Sequence, residues 1–407
     1  MGMNYPPIVG IGASAGGVKA LQSFFEALPD APNAAFVVVV HLDPEFRSQL
    51  ADILAARTAM PVTQVDQTVK LENNRVYVIA PNRRLVIADH MISAVPFDEP
   101  RFQRAPIDLF FRSLAEQHID GFAYAIVLTG AGADGTSGVK SIKEAGGIVL
   151  VQDPNEAEYP SMPRHAIAAE VADFVLPIHA LAGQLVALLK NVEQEPPIVE
   201  PRGDEEMLRR ILAHLRARIG HDFSLYKRAT ILRRVARRVQ VTGGGSLAGY
   251  HDFLRDNPEE ARALFAEFLI SVTTFFRDRH AFELLAKEVI PRLLDGKKSG
   301  DTLRVWVPGC ATGEEAYTIG MLLLEEAGRR EVQPEIQIFA SDLDGGALAV
   351  GREGRFAATI EADVPEDRLR RFFHREGDHY MFAGIFAISC CSRITACCAI
   401  RPSRAWT

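Results

Sequence analysis

The chain has 407 residues, 48% of them hydrophobic and 24% charged, with a formal net charge of −7. That length and composition predict two or three domains with real cores, and the charge excludes a globally basic nucleic-acid binder. No apolar run approaches the roughly 20 residues of a membrane-spanning helix. The N-terminus MGMNYPPIVGIGAS lacks the basic and apolar regions of a secretory signal, so a cytoplasmic protein without membrane insertion is expected. Cys310 stands alone, whereas Cys390, Cys391, Cys397 and Cys398 lie close together near the end. Adjacent pairs lack the spacing of zinc ligands, so neither a metal site nor a disulfide framework is expected.

Residues 8–28 read as a strand, a glycine-rich turn and an amphipathic helix, with Ser14 inside the turn GIGASAGG at 10–17. A hydroxyl at a helix start lies beside backbone N–H groups that have no intrahelical partner and can stabilise an oxyanion. A second apolar strand at 36–40 delivers His41, and a third at 123–129 leads into a glycine-rich loop carrying Asp134. The carboxyl ends of parallel strands share one edge, so Ser14, His41 and Asp134 form a candidate catalytic triad. In it the histidine would take the serine proton and the aspartate would hold the histidine tautomer. The N–H of Ala15 is the first candidate oxyanion donor and that of Ala131 the second. His165 and His179 are rival bases, but neither follows a comparably placed strand. Strands at 75–80, 147–152 and 173–176 and helices at 48–57, 107–116 and 139–145 continue the alternation. It predicts a doubly wound α/β domain with a parallel sheet over residues 1–192.

GIGASA also fits the permissive dinucleotide fingerprint, which keeps a nucleotide-dependent oxidoreductase open. Three features weigh against it. The loop runs on through Gly16 and Gly17, a histidine ends the second strand, and the nearest acid, Asp43, lies 33 residues beyond Gly10 rather than about 20.

A Glu/Pro-rich stretch predicts a linker at 193–206. Residues 207–292 read as a small all-helical domain, with ten Lys/Arg and one acid, Asp222, between 207 and 241. This basic face reads either as solvated or as a docking surface for an acidic partner; nucleic acid is not the expected partner. A new βα turn, VPGCATGEEAY at 307–317, follows a strand at 303–307 and opens a helix at 315–327. It is not a Walker loop, because no Lys-Ser/Thr follows Gly313. A second strand at 336–340 ends near Asp342, an acid suited to a ribose diol, and Glu315 is available to a ligand ammonium. Residues 293–382 therefore predict a partial Rossmann-like unit for an adenosine-bearing cofactor. Residues 383–407 contain no Asp, Glu or Lys and read as an aberrant tail.

GIGASAGG, the HLDP that begins at His41, LTGAGADGTSG at 128–138 and AEYPSMPRHAI at 157–167 together resemble the catalytic domain of the chemotaxis protein-glutamate methylesterases. The four motifs stand in the family's order. The resemblance implies Ser14 as nucleophile, His41 as general base and Asp134 as its partner. Further on, DFSLYKR at 222–228, SVTTFFRD at 271–278, GCATGEEAY at 309–317 and FASDLD at 339–344 resemble the chemotaxis receptor methyltransferases. That second resemblance implies S-adenosylmethionine as cofactor, with contacts from Ser271, Thr273, Arg277, Glu315 and Asp342. It also implies methyl-accepting chemoreceptor helices as partners. A receptor glutamate is already ionised at neutral pH, so positioning would supply most of the catalysis of methyl transfer. The esterase family often carries a receiver domain, which this sequence lacks, and the methyltransferase motif resembling CRN-x-L-I-Y-F is absent after Asp342. The expectation is a cofactor-free serine methylesterase, active without receiver control, fused to a methyltransferase half that is incomplete. For that half, weak cofactor binding without turnover, or a scaffold role on receptor helices, is expected.

Overall fold

The computed structural model describes residues 6–43, 46–97, 104–117, 123–194, 203–270, 272–298, 300–331, 334–377, 379–383 and 398–400. The chain divides into two compact units, residues 1–270 and 271–407. Among the described residues, no helix is long and apolar enough to cross a membrane.

The first unit runs β1 (Ile8–Ala13), α1 (Gly17–Glu26), β2 (Ala35–Val40), α2 (Leu50–Ala55), β3 (Val62–Val65), β4 (Val69–Lys70), β5 (Arg75–Ile79), β6 (Arg84–Ala88) and β7 (Met91–Val95). It continues with α3 (Pro106–Gln117), β8 (Ala123–Val127), α4 (Thr136–Glu144), β9 (Ile148–Gln152), α5 (Ser161–Ala168), β10 (Phe174–Leu176) and α6 (Ile178–Gln194). Seven strands form one sheet in the order β10-β9-β8-β1-β2-β5-β3, and every pairing in it is parallel. The chain grows outward from β1 in one direction and, from β8, in the other. Right-handed crossovers then place α1 and α4 on opposite faces, which is the doubly wound arrangement expected. Strands buried on both faces should read as unbroken apolar runs, and the wholly buried Ala-Phe-Val-Val-Val-Val of β2 does.

Gly10 and Gly12 lie within β1 because α3 crosses it closely. A side chain at Gly10 would meet the rings of Phe110 and Phe111 at 2.7 and 2.8 Å, and one at Gly12 would meet Ile107 Cγ2 at 2.5 Å. The sequence did not announce the small antiparallel sheet β4-β7-β6, whose strands have only two to five residues.

The same unit contains the helices α7 (Gly203–Ile219), α8 (Arg228–Thr242), α9 (Leu247–Asp256) and α10 (Pro258–Leu269). The expected linker is shorter than its assigned range, since α6 runs to Gln194 and α7 begins at Gly203. The basic face needs a larger correction. Arg237 is 1% exposed and pairs with both Asp173 and Glu267, while its Nε donates to the Gly147 carbonyl at 2.8 Å. Arg234, 2% exposed, donates to the Lys143 carbonyl at 2.7 Å and pairs with Glu267 at 3.4 Å. Arg238 pairs with Glu260 at 2.7 Å. Arg234 and Arg237, expected to face solvent or a partner, thus hold α8 against the first α/β layer, and Arg238 ties α8 to α10. The anchor lies where Gly147 and Asp173 precede β9 and β10, at the amino edge. Burial lowers the Lys143 ammonium from the usual lysine range, and Asp173, 3.7 Å away, opposes that shift.

The second unit comprises α11 (Arg279–Leu284), a π-helical stretch (Leu285–Val289), α12 (Ile290–Leu294), β11 (Thr302–Pro308), α13 (Glu314–Ala327), β12 (Glu335–Ser341) and α14 (Gly345–Glu353). Then come β13 (Arg355–Ala357), a 3-10 turn (Ala358–Ala362), α15 (Glu366–Phe372), β14 (Phe373–Glu376), β15 (His379–Phe382) and β16 (Cys398–Ile400). β11 and β12 pair in parallel, as the βα pattern predicts, and β16 adds antiparallel to β12. Residues 398–400 of the expected aberrant tail therefore pair with the sheet; 384–397 and 401–407 lie outside the described residues. The antiparallel sheet β13-β15-β14 brings Phe356, Phe373 and Phe382 into one core with Tyr317. Phe275, Phe276 and Ile290, assigned from sequence to the helical domain, are buried in this second core, and the division falls after Ile270.

Candidate active site

β1 ends at Ala13 and α1 starts at Gly17, with Gly16 in the left-handed region (φ 74°) closing the turn between them. Ser14 is clamped at both ends of its backbone. Its N–H donates to the Thr129 carbonyl at 3.0 Å, and its carbonyl accepts from Gly17 N at 2.8 Å. Thr129 Oγ1 donates to the Ala15 carbonyl at 3.2 Å and accepts from Tyr159 N at 2.8 Å. A side chain at Gly130 would meet Ser14 Cβ at 2.9 Å and collide with Met162 Sδ. Among the described residues, the N–H groups of Ala15 and Ala131 meet no acceptor, so both remain available to an oxyanion.

The three residues singled out in the sequence come together. Ser14 Oγ lies 2.9 Å from His41 Nδ1, and His41 Nε2 lies 2.8 Å from Asp134 Oδ2. A carboxylate only accepts, so Nε2 carries the ring proton and Nδ1 presents its lone pair to the serine hydroxyl. The histidine side chain is 38% exposed and the aspartate 10%. They meet because β1, β2 and β8 are neighbours, and the order reverses between β1 and β8, the switch point at which open α/β sheets bind ligands.

Asp134 is held from behind by the first turn of α3. Ile107 N donates to its Oδ2 at 3.1 Å and Asp108 N to its Oδ1 at 2.9 Å. The free N–H groups and the dipole of a helix N-terminus both favour an anion there. Sequence reasoning missed this support, as it missed Gly130 and Met162. The base position at Ser14 is taken by His41, while His165 turns its Nδ1 to the Ser161 carbonyl of its own helix at 2.8 Å. His179 is exposed on α6. The dinucleotide reading loses its basis too: Gly10 and Gly12 are strand residues making room for α3, not the turn that cradles a pyrophosphate.

The turn in the second unit is also closed by left-handed glycines, Gly309 (φ 69°) and Gly313 (φ 96°), and Ala311 joins them at φ 46°. Asp342 Oδ2 accepts from Ala311 N at 2.7 Å and its Oδ1 from Asp344 N at 2.9 Å. Each oxygen keeps a second acceptor direction, so the group still suits a ribose diol while it also shapes the loop. Thr273 is half-buried. Arg277 is exposed, and its Nη1 donates to the Val272 carbonyl at 2.6 Å. Phe276 N donates to Thr318 Oγ1 at 3.4 Å, which joins this segment to α13. Glu315 is exposed, whereas the adjacent Glu314 is buried and accepts from Thr312 Oγ1 at 2.5 Å. Ser271 lies outside the described residues.

A serine, a histidine and an aspartate hydrogen-bonded in series at the carboxyl edge of a doubly wound sheet define a serine-hydrolase type of site. Comparison with known proteins then narrows the class. A family model described as CheB methylesterase matches residues 9–185. The models for the CheR methyltransferase all-alpha domain and SAM binding domain match 206–269 and 271–394. A putative protein-glutamate methylesterase/protein-glutamine glutaminase of Leptospira interrogans is 35% identical over 190 residues, which cover 46% of this chain and 97% of that protein. An uncharacterized 104.1 kDa protein of Rhodobacter capsulatus is 36% identical over 357 residues, 81% of this chain but 37% of its own length. The crystal structure of the Thermotoga maritima CheB methylesterase catalytic domain is 27% identical, with a TM-score of 0.43, covering 46% of this chain and 100% of that one. The chain belongs to the CheB methylesterase family and carries the two CheR domains fused behind it. It spans about a third of the Rhodobacter protein and 55% of a Burkholderia pseudomallei relative.

Proposed function

We propose that the first unit hydrolyses glutamate methyl esters on chemoreceptor helices, with Ser14, His41 and Asp134 as its catalytic residues. The unbroken Ser14–His41–Asp134 hydrogen-bond chain carries this reading. Ser14 Oγ attacks the ester carbonyl carbon as its proton passes to His41 Nδ1. The resulting oxyanion takes the N–H groups of Ala15 and Ala131. Collapse expels methoxide, which leaves as methanol with the proton from His41, and the substrate acyl group stays on Ser14. Water then attacks that acyl-enzyme, gives its proton to His41 and releases the glutamate and the serine hydroxyl. Asp134 holds the Nε2 proton throughout and stabilises the imidazolium. A glutamine amide passes through the same tetrahedral intermediate with ammonia as the leaving group, an activity named for the Leptospira and Burkholderia relatives. Methanol release from a methylated receptor fragment tests the reading: the intact chain should release it, and Ser14→Ala should not while keeping its fold.

The second unit is placed with the S-adenosylmethionine-binding CheR domains, and the cofactor supplies an electrophilic methyl group when bound. Asp342 would hold the ribose, and Thr273, Arg277 and the Glu314–Glu315 pair would hold the polar tail. Calorimetry with S-adenosylmethionine on the whole chain, against Asp342→Asn, tests that assignment.

A further inference from the structure

We infer that Asp108 is a positioning residue for the triad, acting through the first turns of α3 and α4; this rests on the methylesterase reading of Ser14. Asp134 sits in a loop with glycine on either side, at 132 and 135, both with left-handed backbone. Such a loop cannot by itself fix a carboxylate to within a fraction of an ångström. The N–H groups of Ile107 and Asp108 supply the fixed points, one to each carboxylate oxygen.

What fixes α3 in turn is the Asp108 side chain. It is 3% exposed, and its Oδ1 accepts from Gly138 N, in the first turn of α4, at 2.6 Å. The connections therefore close on themselves. The loop carrying Asp134 runs into α4, α4 is tied by Gly138 to the Asp108 carboxylate, and the Asp108 backbone returns to Asp134. Two further close contacts leave this arrangement little slack. A side chain at Gly138 would meet Phe111 Cβ at 2.5 Å and Asp108 Cα at 3.0 Å, and one at Gly135 would meet Ile107 Cγ2 at 2.9 Å. A second link between the helices, Arg112 to Ser137 Oγ at 2.7 Å, can be cut at Ser137 with the Asp108 carboxylate left in place and serves as a control.

Without the Asp108 carboxylate, Gly138 N–H loses this acceptor and the first turn of α3 is free to shift. A displacement of about 1 Å at a catalytic group costs on the order of 100-fold in rate. Asp108→Ala should therefore lower kcat by roughly 10- to 100-fold with KM little changed. Asp108→Asn, which keeps an acceptor for Gly138, should restore most of it, and Ser137→Ala should match the unaltered chain. The readout specific to positioning is the downfield proton resonance of His41 Nε2–H, recorded without substrate. It should persist in the unaltered chain, Asp108→Asn and Ser137→Ala, and weaken or vanish in Asp108→Ala. If Asp108→Ala does not fold, Asp108→Ser gives the same comparison. A folded Asp108→Ala or Asp108→Ser with unchanged kcat and an unchanged resonance overturns the inference. Absence of methanol release from the unaltered chain overturns the methylesterase reading instead, and the resonance still tests Asp108.

Discussion

The turn between β1 and α1 and the turn between β11 and α13 share a plan: a parallel strand runs into a loop, a left-handed glycine closes it, and a helix begins without a side-chain cap. They differ in the acid their neighbours bring. Asp134 is steadied by N–H groups from another helix and still presents Oδ2 to His41. Asp342 accepts from Ala311 in the turn itself and from Asp344 in its own loop, and among the described residues no histidine is hydrogen-bonded to it. The difference follows the chemistry proposed for each. A serine hydroxyl is inert until a base takes its proton, so the first turn needs a relay. A glutamate acceptor arrives ionised, so the second turn needs only to hold and orient.

The largest effect should come from breaking the relay. His41→Ala and Asp134→Asn should each reduce ester hydrolysis by roughly 10^3-fold or more, and neither should add to Ser14→Ala, because triad members act as one unit. Methanol assays on single and double variants measure this directly. Next comes the opposite edge of the same sheet. Arg237→Ala leaves the carboxylates of Asp173 and Glu267 without a principal partner and should destabilise the first unit by about 3–5 kcal/mol in denaturant titration. The kcat of the folded protein should barely change, since the anchor lies away from the carboxyl edge.

A smaller effect is expected in the second turn. Asp342→Ala removes the acceptor that holds Ala311 in its left-handed conformation and should cost about 1–3 kcal/mol in the second unit, read from its melting transition. The first turn should be unaffected. Smallest is Tyr124→Phe in β8. The hydroxyl is buried and, among the described residues, meets no hydrogen-bond partner; burial also raises its pKa. Removing it should leave stability unchanged or raise it by up to about 1 kcal/mol, with no change in activity.

Much of the first unit was legible because strands and helices there announce themselves by period and length. Three residue types at three strand ends then pointed to one edge. Support from elsewhere in the fold was not legible. Nothing local links Asp108 to Gly138, or Arg237 to Asp173, which are 64 residues apart. The basic helices looked like a free surface because sequence shows charge and not its partner. Likewise, helical periodicity identified the stretch near Ile290 as helix but could not say which core buries it. The two- to five-residue strands at 69–95 were too short for alternation to stand out. In the second turn, adjacent glutamates differ in burial, which helix geometry decides and composition does not.

The central claim is that Ser14 is a nucleophile made reactive by His41 and Asp134. A serine-directed phosphonylating reagent, followed by peptide mass mapping and the methanol assay, tests it most directly. One adduct on Ser14 is expected, its formation much slower in His41→Ala, with methanol release falling in proportion to modification. An adduct elsewhere, or full methanol release after complete modification of Ser14, would contradict the account.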